Sequence, residues 1–444
     1  MSAAQATDVL GLGDKLLEID EGRFRQVVGL LEHMGNHPEV LRTFSLIRPR
    51  LVELRPKRRP TLKRLFCDPF EDLFEPLLPG EKTPVNTIER AVINHLWPLV
   101  EGQVGADTLG AFASRHRAAV ESGDPAALTE VSDAFWAAVG GAVRTIAGLL
   151  ETGRLTDAME LRMSAERTRA VQDIAMALSI APALAALKRA LAPKPLPKLH
   201  QDHLDEVQAI GRTVARADAP ALKVFVLVAA ARLADPSLLL AALWNMDFGQ
   251  KSSDRAALFA QLSGSVVSQI EERARTLAAT DGGHADRLAV ADLAAGLVAS
   301  LDATRNAMEM SRRGEFDQRL KQVRGAVHEM VRTQLLDDAE TDILGTVGGG
   351  AGKDGVRHAE NHARALRKCA SFADSLGLRT QLRQVTDKTV SALTGAAQDV
   401  FASGAEAAAD PRAGYAAIRM IELIAGPVEA NRILSGILDR ARPL

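Results

Sequence analysis

The chain has 444 residues, 47% of them apolar and 25% charged, with a net charge of −2. These are ordinary globular proportions, which exclude wholesale disorder and leave no global field to draw the protein to polyanions. Aromatic residues make up only 4%, with Tyr415 the single tyrosine, so base-stacking platforms and an aromatic-lined ligand cavity are disfavoured.

Ala and Leu dominate and β-branched runs are few, a composition that favours helices packed through small and aliphatic side chains. The expected fold class is all-α: two or three helical bundles or an irregular stack of helix pairs. Cys67 and Cys369 make no paired framework, as expected of a protein in the reducing cytoplasm. The opening "MSAAQATDVLGLGDKLLEID" has no basic region ahead of its apolar residues, so neither a secretory signal nor a transit peptide is expected.

The most unusual stretch is "LRPKRRPTLKRLFCDPFEDLFEPLLPG", residues 54–80. From Arg42 to Cys67 there are nine bases (Arg42, Arg48, Arg50, Arg55, Lys57, Arg58, Arg59, Lys63, Arg64) against one acid, Glu53, a local charge of +8. Pro56 and Pro60 bracket Lys57, Arg58 and Arg59 in an extended segment that displays them. Asp68, Glu71, Asp72, Glu75 and Glu81 follow before the next base, Lys82.

Asp68 and Glu71 have capping-box spacing, and Phe66, Phe70 and Phe74 recur at i, i+4 and i+8. A basic limb joined to an acidic, Phe-faced helix reads first as a neck that pairs with itself. It also offers a docking surface for another protein, built from Arg55, Lys57, Arg58, Arg59, Lys63 and Arg64, with Phe70 and Phe74 as apolar anchors if the helix is exposed. The same limb has the charge to hold phosphates of a nucleic acid or an anionic lipid. Cys67 lies among bases that would lower its thiol pKa, with no His nearby in sequence.

Helix starts are punctuated by Asp68-Pro69, Asp124-Pro125, Asp235-Pro236 and Asp410-Pro411. Asp accepts from the free first-turn amides, and Pro suits a position whose N–H has no helical partner. The unequal spacings match no solenoid period.

Three prolines within "APKPLPKL" (192–199) forbid a continuing helix. Just beyond, His200, Asp202 and His203 stand at a helix start, where polar residues cap. "PALKVFVLVAAARLA" carries Lys223 and Arg232 and falls short of a membrane span. In "FDQRLKQVRGAVHEMVRTQLL", Phe316, Leu320, Val323, Val327 and Met330 form one helical stripe that must meet another helix. Asp337, Asp338, Glu340 and Asp342 loosely resemble the Asp-rich motif of all-helical isoprenoid synthases. There is no second such motif, and the cluster reads as a solvated helix end.

"GTVGGGAGKDG" (345–355) fails as a phosphate loop: Val347 stands where the first glycine belongs, and Asp354 replaces the magnesium-holding Ser/Thr. The Pro-rich and Gly-rich breaks suggest three helical domains, 1–192, 199–344 and 355–444. On the last, His358, His362 and Cys369 share a helical face, three of the four ligands that a metal site needs. Arg357, Arg364 and Arg367 nearby disfavour a cation.

No cofactor motif and no nucleophile elbow is found. The expectation is a non-catalytic intracellular scaffold or regulatory protein that binds another protein, with the charged neck at 55–75 as the site. The alternatives are a nucleic-acid or anionic-lipid binder using residues 42–64, and a metal-dependent helical enzyme using His358 and His362.

Overall fold

The structure, a computed structural model, describes residues 16, 19–33, 40, 43–44, 47, 50–51, 61–74, 86–152, 165–278, 286–311, 314, 316–345, 353–402 and 411–441. Among these the fold is all-α: helices throughout, two isolated bridges (Phe74 with Ile88, Leu196 with Leu233) and no strands.

The chain forms two compact units, Met1–Ala192 with Ala209–Arg232, and Pro193–Gln208 with Leu233–Leu444. The Pro-rich segment thus lies at a boundary, but residues 209–232 return to the first unit. The Gly-rich run does not separate a third unit, which differs from the three domains expected. Helices on both sides of it pack together, because their apolar stripes need each other more than the chain needs a break.

In the first unit α1 spans Glu21–His33, α2 Leu62–Cys67, α3 Arg90–Val104, α4 Ala106–Ser122, α5 Pro125–Glu151, α6 Ala165–Ser179, α7 Ala181–Ala190 and α9 Leu222–Ala231. The division between the units passes through α8, Gln201–Ala217. α5 shows how local chemistry sets an element. Gly123 closes α4 in the left-handed region (φ 66°), Asp124 accepts the Ala126 N–H at 2.9 Å, and Pro125 opens the helix. Its stripe of Val131, Phe135, Val139, Val143 and Ile146 is buried as α5 packs on α3, α4 and α6.

α9 is buried on nearly every side, from Val224 through Ala230. Its valines have little helical preference, so burial and not propensity holds it helical.

In the second unit α10 spans Ser237–Leu243, α11 Ser252–Ala278, α12 Arg287–Ser311, α13 Asp317–Val331, α14 Ala339–Leu344, α15 Lys353–Cys369, α16 Arg379–Ala402, α17 Pro411–Ala425 and α18 Pro427–Ala441. Asp235 accepts both the amide (3.0 Å) and the hydroxyl (2.7 Å) of Ser237 at the start of α10. α12 is the hub, in contact with α10, α11, α13 and α15, while α16 and α17 pair as a hairpin. The stripe of Leu320, Val323, Val327 and Met330 on α13 is buried where α13 meets α11 and α12. A single π turn, Arg332–Leu336, ends it.

Candidate functional site

The described part of the neck runs from Thr61 to Phe74. Thr61 opens α2 by accepting the Arg64 N–H at 3.2 Å. The helix then passes into a 3-10 turn, Asp68–Leu73, which Cys67 precedes without any side-chain cap, so the capping box expected at Asp68 and Glu71 does not form.

The phenylalanines serve the core. Phe66 and Phe70 are 0% exposed. Phe66 meets Phe70 edge-on at 5.4 Å and Trp97 of α3 at 5.3 Å, and Trp136 of α5 donates its indole N–H to the Leu65 carbonyl at 2.8 Å. Burying each Phe stabilises the unit by roughly 1.5–3 kcal/mol. Phe70 therefore cannot be the outward anchor the sequence suggested. Phe74 is half-buried, edge-on to Phe70 at 5.7 Å, with the Arg90 guanidinium 4.6 Å above its ring. Cys67 differs from expectation too: burial pushes its thiol up to about 11, outweighing Lys63 and Arg90.

The acids of the neck are met from far along the chain. Lys188 of α7 brings its Nζ 3.7 Å from Asp68 Oδ1, 3.4 Å from Glu71 Oε1 and 3.8 Å from Asp72 Oδ2, and donates to the Asp68 carbonyl. Arg232, one residue past α9, donates from Nη1 to Asp72 Oδ2 at 3.1 Å and from Nε to the Leu191 carbonyl at 3.4 Å. The Asp72 side chain is 1% exposed. Among the described residues the acids of the neck thus pair with bases up to 160 residues later in sequence; Arg55, Lys57, Arg58 and Arg59, with which they were expected to pair, lie outside the described residues. Sequence reasoning missed Lys188, and used Arg232 only against a membrane span. A lone Arg ending an apolar helix signals an internal partner, because such a charge is seldom buried unpaired.

The basic residues have different fates. Arg50 is structural: Nη1 donates to the Leu16 carbonyl at 2.5 Å, Nη2 donates to that of Ile19, and the guanidinium lies 4.4 Å over the Phe24 ring. It closes a small core of Leu16, Phe24, Val28, Leu31, Val40 and Ile47. Lys63 donates to Asn94 Oδ1 at 3.1 Å. Arg64 is exposed, and its guanidinium makes no hydrogen bond or ion pair among the described residues. Arg42, Arg48, Arg55, Lys57, Arg58 and Arg59 lie outside the described residues.

In the second unit His362, on α15, is fully buried. One ring nitrogen lies 3.0 Å from the Leu335 carbonyl in the π turn and the other 3.1 Å from Asp342 Oδ2. His358 Nε2 and Arg287 Nη2 each lie 3.9 Å from the same oxygen. Burial holds the His362 imidazole below its usual value, and Arg287 adds to the effect, against the upward pull of Leu335 and Asp342.

Cys369 does not join this group. It is buried on its own, and burial pushes its thiol up to about 12. Among the described residues no three His, Cys, Asp or Glu side chains are arranged to hold a metal ion. Two other members of the acidic cluster have their own bases: Asp337 pairs with Arg332 at 2.7 Å and Glu340 with Lys388 at 2.6 Å. At the start of α8 the His200 amide donates to His203 Nδ1 at 3.1 Å, a local cap. No helix among the described residues is by itself long and apolar enough to cross a membrane.

Comparison with protein-family models, with curated proteins and with solved structures gives no match.

Proposed function

We propose that this is a non-catalytic, cytoplasmic scaffold or regulatory protein whose basic limb, residues 55–64, docks an acidic segment of another protein. The observation that carries it is the pairing of Asp68, Glu71 and Asp72 with Lys188 and Arg232. With Asp68, Glu71 and Asp72 met by Lys188 and Arg232, we read the charge of the limb as directed to an outside partner. Arg64 is the exposed, described end of that charge. In support of a non-catalytic role, burial raises both thiols, which disfavours a cysteine nucleophile. The buried imidazole of His362 has both nitrogens engaged.

Nucleic acid is the second reading, favoured by the density of the limb's charge and opposed by the scarcity of rings and the net charge of −2. The test is capture of partners from native lysate by the wild type and by an Arg58→Glu/Arg59→Glu/Arg64→Glu variant, with and without nuclease. Circular dichroism first confirms that the variant is folded. Proteins lost only in the variant, whatever the nuclease treatment, support docking. Nuclease-sensitive capture supports the second reading, and identical sets from both proteins refute the site.

A further inference from the structure

Where α6 turns into α7 against α5, the first unit holds a recess of about 270 Å³. Trp136 of α5, Leu178 at the end of α6 and Pro182 at the start of α7 give it apolar walls. Gly140 is its closed inner side, buried so that a Cβ there would come 3.3 Å from the Leu178 Cβ. Gly141 is its open side: it is exposed, and a Cβ would meet nothing within 4 Å. The volume falls just below the range of about 300–1,000 Å³ that takes drug-sized molecules.

The lining carries opposite charges, Asp133 and Arg144. They stand at i and i+11 on α5, three helical turns apart, and so share one side of the helix. Asp133 is half-buried and makes no hydrogen bond or ion pair among the described residues. Burial raises its carboxyl pKa, and the field of Arg189 is the opposing influence. Arg144 is exposed and likewise makes no hydrogen bond or ion pair among the described residues. The remaining polar group of the lining is already engaged, since the Ser179 hydroxyl meets the Met176 carbonyl at 2.8 Å and Asp218 Oδ2 at 2.6 Å. Recognition therefore falls to the two charges.

We propose that this recess binds a linear zwitterion, a short peptide of small residues with free ends, its amine on Asp133 and its carboxylate on Arg144. The reading is independent of the basic limb. An amine offsets what burial costs the Asp133 carboxylate, and a guanidinium receives a carboxylate through paired N–H donors. The length follows from the helix. Eleven residues place the two backbones about 16 Å apart along the axis. With both side chains reaching into the recess, roughly 10 Å is left between the charged groups, the span of about three extended residues. Small side chains are required because the floor is closed at Gly140 and the walls are fixed helix ends. A lone cation or anion would answer only one end.

Isothermal titration of the full chain with trialanine tests this, beside N-acetyl-trialanine, which lacks the amine, and trialanine amide, which lacks the carboxylate. Trialanine should bind one to one with a Kd on the order of 0.1 mM, and each blocked peptide should bind about tenfold more weakly, the worth of one charged hydrogen bond. Asp133→Asn should weaken trialanine by about tenfold and leave N-acetyl-trialanine unchanged, while Arg144→Gln should do the same for trialanine and spare trialanine amide. Those unchanged affinities would also show that the variants are folded. Gly141→Leu, which raises helix propensity and fills the open side, should abolish binding. No heat from trialanine at about 10 mM, blocked peptides that bind as well as the free one, a charge variant that weakens all three peptides alike, or a Gly141→Leu protein that binds as the wild type does would each overturn the proposal.

Discussion

Replacing Asp72 with Ala should cost the first unit more than replacing its more exposed neighbours Asp68 or Glu71. The carboxylate is 1% exposed, 3.1 Å from Arg232 Nη1 and 3.8 Å from Lys188 Nζ. At an effective dielectric constant of about 20 these distances correspond to gross attractions of roughly 5 and 4 kcal/mol, much of it offset by the desolvation already incurred. Lys188 keeps Asp68 and Glu71 after the substitution. Arg232, whose side chain is only 10% exposed, keeps no acid partner among the described residues, so the cost falls there.

An uncompensated buried charge costs about 3–5 kcal/mol, or on the order of 10 °C in Tm for a unit of this size. Asp72→Asn should cost less, because it keeps an acceptor for the guanidinium, and Asp72→Leu combined with Arg232→Met should recover most of the loss. Urea unfolding followed by tryptophan fluorescence in a Trp244→Phe background reads the first unit alone, through Trp97 and Trp136. A loss below about 1 kcal/mol, the range of exposed ion pairs, would refute the buried-pair account.

Acid should weaken the second unit through His362. Its folded pKa lies below the unfolded value of 6.5, so the unfolded chain takes up the proton first. The stability it contributes is fully present above about 6.5 and is lost as pH falls from there through the folded value. Urea unfolding followed by Trp244 at stepped pH should show that slope, and His362→Gln should flatten it. Gly414→Ala should cost about 1–3 kcal/mol by overpacking, since its Cβ would lie 2.9 Å from the Phe401 ring, which is itself edge-on to Tyr415 at 5.3 Å; a thermal melt unchanged from wild type would contradict this. With thiols pushed up to about 11 and about 12, Cys67 should react slowly with Ellman's reagent at pH 8 and Cys369 only on unfolding. A native rate equal to that of free cysteine would show that burial does not govern either thiol.

Much of the local structure was legible in the sequence. Asp124-Pro125 opens α5 and Asp235 caps the start of α10, because a cap is a contact between residues two or three apart. The four-and-three spacing of Leu320, Val323, Val327 and Met330 identified a buried helix face, because the period of the backbone alone decides which side chains share a side. The same logic found the phenylalanine stripe of the neck, but not which way it faces. Periodicity says that Phe66 and Phe70 go together; only the arrival of Trp97 and Trp136 makes that side the interior.

The charges show where sequence runs out. Six bases followed by four acids along 55–75 suggested that neighbours in sequence neutralise one another, yet Asp72 is neutralised by Arg232 and Asp68 by Lys188. Cys67 follows the same pattern, its thiol raised by burial although bases flank it in sequence. Helix class, helix starts and the grouping of residues on helix faces were determined by the sequence itself, through interactions that span a turn or two. Partners and protonation were decided only by the tertiary structure, because Coulomb energy and desolvation depend on distance and exposure in space, and neither follows separation along the chain.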